Sequence, residues 1–190
     1  MRVVVAITPP EHVVDDVEAA LDRTPVPPGE FSRVPAVALM MPMFSLGNVT
    51  RPEVRSVADS LTAELDRSRP AATVGLAGVW ALETEGDPTV GLPLVGEVDR
   101  VGELASSLWS LVARHGYFVD RRRWVARLTI GSVTSTTSLP FLERLVADLD
   151  RYASPTWQVS SVSLVRQRFD TAQASTWDVL ERVPTVVDPT

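Results

Sequence analysis

The residues best equipped for chemistry in this chain are arginines. Arg127 and Thr129 stand two positions apart in an alternating stretch, Trp124 to Val133, so on a strand they share one face. Arg121 and Arg123 have the same parity. If the strand runs back to them, three guanidiniums and one hydroxyl line that face, and the planar fork of arginine suits a phosphate. Arg121, Arg123, Arg127 and Thr129 are therefore the candidate phosphate-binding group, with Trp124 beside them as a candidate cleft aromatic. The alternative is ordinary: Arg121 to Arg123 form a solvated turn and Arg127 pairs with a carboxylate.

Other chemistries are short of material. There is no cysteine, hence no disulfide framework, thiolate nucleophile or thiolate metal site. All 18 basic residues are arginine, so neither a lysine Schiff base nor a P-loop lysine is available. The two histidines, His12 and His115, lie about a hundred positions apart, each without an identified partner. They read as surface or structural groups, and neither a metal site nor a cofactor is expected. The net charge of −6 argues against nucleic-acid binding through the overall field, leaving a local arginine patch as the route to a nucleotide or RNA end. No segment approaches the roughly 20 apolar residues that span a bilayer. The expectation is a cytoplasmic, bacterial protein, with no membrane partner.

These side chains need a scaffold, and 190 residues with 45% hydrophobic content can supply one domain. Val3 to Ile7 predicts a buried strand. Thr8-Pro9-Pro10-Glu11 predicts a capped helix start, with Val14, Val17 and Leu21 inward. A strand is expected from Val37 to Met43, broken by Gly47-Asn48. Thr50-Arg51-Pro52-Glu53 predicts a second capping box ahead of Val54, Val57, Leu61 and Leu65. Thr73 to Trp80 and Gly91 to Val95 read as strands around a turn at Glu85 to Pro88. A helix through Val101, Leu104, Leu108, Leu111 and Val112 should stop at Gly116. Ser138 and Pro140 open a fourth helix with Leu142, Leu145, Val146 and Leu149 inward. Trp157 to Val165 and Ser175 to Leu180 close the fold. The order of elements is close to a duplicated unit. Residues 1–182 form one bilobal unit and 183–190, with two prolines, a loose tail.

Taken in order, these pieces resemble the two-histidine (2H) phosphoesterase superfamily, which includes bacterial 2′-5′ RNA ligases and cyclic nucleotide phosphodiesterases. Met1 to Ile7 resembles its first strand and Pro10-Glu11 its first helix entry. Leu46-Gly47 follows the first signature. Ala72 to Val79 resembles the strand after the second helix. Gly116, Asp120, Arg122 and Trp124 precede the second signature, although Ala126 replaces the usual proline. Ser163 to Arg166 and Thr176 to Leu180 resemble the last two strands. The resemblance implies an α+β fold of two lobes: two small, mainly antiparallel sheets with outer helices, facing a central cleft. In the family each signature is His-x-Thr/Ser, one histidine acting as base and the other as acid on a 2′,3′-cyclic or 2′-5′ phosphodiester, without metal.

Both histidines are missing at the matching positions. The first signature becomes Met40-x-Pro42 and the second Arg127-x-Thr129. Methionine cannot carry a proton, proline has neither hydroxyl nor N–H, and arginine keeps its proton and cannot be a general base. Only Thr129 survives. No catalytic residue is assigned. Met40, Met41, Met43 and Phe44 either line a pocket for an apolar ligand or partner, or fill the lost site with core. The expected function is a catalytically degenerate protein of this fold, binding a nucleotide, an RNA end or a protein partner. The alternatives are a phosphodiesterase using non-standard groups and a structural or interaction protein with a filled cleft.

Overall fold

A computed structural model describes residues 1–67, 70–81, 88–117, 119, 124–169 and 175–186. The chain runs β1 (Arg2–Ile7), α1 (Glu11–Asp22), β2 (Phe31–Arg33), β3 (Met41–Asn48), α2 (Arg51–Glu64), β4 (Ala72–Leu76), β5 (Trp80–Ala81), β6 (Thr89–Gly96), α3 (Val98–Arg114), β7 (Arg127–Val133), α4 (Leu139–Asp150), β8 (Trp157–Val159), β9 (Ser161–Phe169) and β10 (Ser175–Pro184). It is the expected two-sheet α+β fold. One sheet has the order β10-β9-β1-β3. The other runs β2-β7-β6-β4-β8, with β5 paired to β6, and every strand pairing among the described residues is antiparallel.

β1 is central to the first sheet, between β9 and β3, and Val3 to Ile7 are all buried. A strand covered on both faces has no reason to alternate, which is why it reads as a continuous apolar run. Val3, Val5 and Ile7 join the main core with Val13, Val17 and Leu21 of α1 and Val54, Val57 and Leu61 of α2. Val4 and Ala6 point the other way, into a separate small cluster.

The second capping box is present. Thr50 N donates to Glu53 Oε2 at 2.6 Å, while Glu53 N donates to Thr50 Oγ1. α3 ends where the glycine stands, Gly116 taking φ +83° just past the helix.

Four local expectations need correction. Pro10, not Thr8, is the N-cap of α1, and its carbonyl accepts from Val13 and Val14 N–H. Pro9 precedes another proline and is thereby kept out of the helical region, so no helix can begin there. Thr8 Oγ1 bonds Ser163 Oγ at 3.2 Å instead. Second, Ala36 to Ala38 form a 3₁₀ turn after Pro35, and the strand begins only at Met41 and continues to Asn48. It is held in register by β1, with Gly47 at φ +72° absorbing an irregularity opposite Val3. Third, the inward face of α4 is Phe141, Leu145 and Leu149. Fourth, the expected tail starts too early. Val183 is fully buried within β10, and Thr185 donates through N to Ser160 O and through Oγ1 to Val159 O. Pro184, the last residue of β10, is tolerated because β10 is an edge strand.

Candidate functional site

β3 and β7 belong to different sheets, yet approach within 8 Å, Cα to Cα. Met40 precedes β3 by one residue and is 6% exposed, packed with Val4, Ala6 and Val165, with Trp177 against the cluster. Pro42 lies opposite Ala6 and is exposed. This cluster occupies the face of the first sheet turned away from the α1 and α2 core.

Arg127 opens β7, with Thr129 two residues on; both are half-buried. The Arg127 guanidinium lies over the ring of Trp80, 3.4 Å from its centroid. Trp80 on β5 pairs with Gly91 on β6, and Gly91 pairs with Thr129. A Cβ at position 91 would lie 3.6 Å from Arg127 Cδ and 3.0 Å from Leu128 O. The Arg127 side chain thus passes the bare backbone of Gly91 at ordinary van der Waals distance, and it is the Leu128 carbonyl that crowds this position. The electron-rich indole face attracts the guanidinium charge, while the planar fork keeps its N–H donors in its own plane.

The other sequence candidates are placed as follows. Trp124 is half-buried and lines an open groove, about 1520 Å³, with Met43, Phe44, Trp109 and the Gly102–Ser106–Ser110 face of α3. Val125 and Ala126, just ahead of Arg127, line the same groove, while Met40, Pro42, Arg127 and Thr129 do not. Its indole Nε1 is buried without a hydrogen-bond partner. Arg121 and Arg123 lie outside the described residues. His115 Nε2 meets Glu64 Oε1 at 2.5 Å, and Arg114 meets the other carboxylate oxygen at 3.0 Å. His12 is exposed on α1. Among the described residues, no cluster of three histidines, cysteines or carboxylates could hold a metal.

Two aromatic residues of the site escape sequence reasoning, because Trp80 and Trp177 read as core. A signal for Trp80 exists, since a glycine in the middle of a strand marks a close approach by something larger. What approaches Gly91 cannot be read without the pairing of β5, β6 and β7.

Two antiparallel sheets and four helices among the described residues make the LigT-like phosphoesterase fold. The solved structures agree. The chain superposes on E. coli LigT complexed with 3′-AMP with a TM-score of 0.71 and 18% identity, over 96% of this chain and 97% of that one. It matches TT0787 of Thermus thermophilus with a TM-score of 0.72 and 18% identity, over 100% of both chains. A crystal structure described as a phosphoesterase gives 0.72 and 18%, over 98% of each. E. coli LigT is also known complexed with NADP+, with ATP and with phosphate. No family model and no curated protein matches the sequence.

Proposed function

We propose that this chain is a 2H phosphoesterase-fold protein that holds a phosphoryl group in the cleft between its sheets without turning the ligand over. The observation that carries this reading is the pair of occupants at the signature positions. Met40 is sealed in an apolar cluster, and Arg127 is a cation laid on Trp80. Neither transfers a proton in the way the acid–base pair of the family requires. What remains is suited to binding: a guanidinium with the Thr129 hydroxyl on the same strand face. The complexes of E. coli LigT with 3′-AMP, ATP and phosphate support a nucleotide or an RNA end as the first ligands to try.

The test is a titration with 3′-AMP and inorganic phosphate, against wild type and Arg127→Ala. Binding should weaken by about 1.5–3 kcal/mol in the variant, the scale of a charge-assisted hydrogen bond. Equal affinity in the two proteins would end the proposal. A second reading, a cleft closed by core, draws on the burial of Met40. It requires that neither ligand bind wild type at all and that Arg127→Ala lower the melting temperature.

A further inference from the structure

We infer that the open groove beside α3 binds a cationic, amphipathic peptide segment of a partner protein, a role that does not depend on any ligand held by Arg127. The first observation is Gly102. It sits inside α3, where a glycine weakens the helix. It is not among the glycines with positive φ, and nothing beyond its own stretch of helix lies within 4 Å of where a Cβ would stand. Neither backbone conformation nor internal packing calls for glycine there. What its bareness supplies is room in the groove that it lines. That groove is accessible as well as large. Trp109 and Trp124 are half-buried, and Val125 is 55% exposed. Its 1520 Å³ exceeds what small-molecule clefts enclose, and its lining follows α3 from Val98 to Ser110, about 18 Å of helix. These dimensions suit a stretch of chain.

The polar lining says what the segment carries. Ser106 Oγ donates to Gly102 O at 2.9 Å, Ser107 Oγ to Glu103 O at 2.9 Å and Ser110 Oγ to Ser106 O at 2.8 Å. Each hydroxyl has one proton, and that proton is committed within the helix, so these serines offer the groove lone pairs only. Asp99 and Glu103 add exposed carboxylates, and no arginine or histidine is among the described residues that line the groove. A surface of acceptors calls for donors. Lysine and arginine supply them with charge, and their aliphatic stems pack on valine and indole while the charge is drawn to the ring. The net charge of −6 favours a basic partner at longer range and repels a second copy of the chain.

The experiment is calorimetric titration of the full chain with an amphipathic leucine–arginine peptide of about 12 residues, three helical turns, and with its leucine–glutamate counterpart. The arginine peptide should bind about ten-fold or more tightly than the glutamate peptide, and its affinity should fall as salt is raised. Gly102→Leu fills the groove from a position with open space around it. It should weaken binding about ten-fold without lowering the melting temperature, since leucine is the better helix former. Asp99→Asn should weaken binding by about two- to five-fold, the scale of one exposed ion pair. Equal affinity for the two peptides, binding unmoved by Gly102→Leu, or no binding of the arginine peptide would overturn the inference. So would a concentration-dependent dimer of the wild type, seen by sedimentation, that Gly102→Leu abolishes, because the groove would then belong to a second copy.

Discussion

Arg127 lies over Trp80 across the bare backbone of Gly91. The guanidinium sits 3.4 Å from the indole centroid, and the Arg127 Cδ passes within 3.6 Å of where a Cβ on Gly91 would stand. Trp80 pairs with Gly91 while Arg127 pairs with Pro93 two residues on, so the cation reaches the indole diagonally across three strands and is positioned by sheet geometry, not by a local motif.

Trp80→Leu should release Arg127. The loss of a cation–π contact of this kind is worth about 0.5–1 kcal/mol where partly exposed. Phosphate affinity, measured by titration, should fall by a similar amount. Gly91→Ala should act differently, because its new methyl would press on Leu128 O at 3.0 Å, backbone that cannot swing aside. A cost of about 1–3 kcal/mol, typical of overpacking, is expected in chemical denaturation. Unchanged phosphate affinity in Trp80→Leu would show that the stack does not position the arginine.

Met40→Ala should cost about 2–4 kcal/mol, because it opens a cavity among Val4, Ala6 and Val165. Met40→His alone should also destabilise, since the imidazole would have to find hydrogen-bond partners in an apolar cluster. Denaturant midpoints for the two variants test this. A neutral Met40→Ala would mean that the side chain is not part of the packing.

No hydrolysis of 2′,3′-cyclic nucleotides and no 2′-5′ ligation are expected from the wild type. Each missing acid–base group costs about 10²–10⁴ in rate. Turnover abolished by a change in the cleft would refute this. The complementary variant, Met40→His with Pro42→Thr and Arg127→His, should regain at most a small fraction of activity. Catalytic positions must hold to about 0.5 Å, and the wall around residue 40 is packed for methionine.

Thr50→Ala should destabilise by about 1 kcal/mol, the usual value of an N-cap. It removes the hydroxyl that accepts from Glu53 N and donates to Glu53 Oε2 at 2.7 Å. A thermal melt reads the change, and ligand affinity should not move, because the capping box lies at the start of α2 and shares no residue with the cleft.

Glu30 couples stability to pH. It accepts from Ser138 Oγ at 2.6 Å and Ser138 N at 2.9 Å, at the start of α4. The hydroxyl bond first, then the backbone bond, holds its carboxyl below the usual carboxylate range. A group depressed in the folded state stabilises above its unfolded pKa, about 4.3, and loses that contribution as pH falls through the lower folded value. Glu30→Gln should therefore be less stable than wild type at pH 7, with the difference shrinking in acid. Parallel stability curves from pH 7 to pH 3 would contradict the assignment.

Short-range signals in the sequence determined several pieces by themselves. The capping box at Thr50 and Glu53, the stop at Gly116 and the buried run of β1 each depend on residues within a turn or a strand of one another. The chemistry of the signature positions is legible as well, because residue type alone says that Met40 and Pro42 carry no proton and that Arg127 carries charge. The order of elements is close to a duplicated unit, but it does not say which strands share a sheet. The tertiary structure decided that. The first sheet joins β1 and β3 from the start of the chain to β9 and β10 from its end, while β2 pairs with β7. The pairings of β1 with β9 and of β2 with β7 join residues about a hundred or more positions apart, so no local preference encodes them. The same closure buried Val183 in what reads as a tail, turned Met40 into a cluster with Val165, and laid Arg127 on Trp80 across Gly91. Which face a strand residue serves depends on what its neighbours across the sheet leave open, and that is settled only when the sheet has formed.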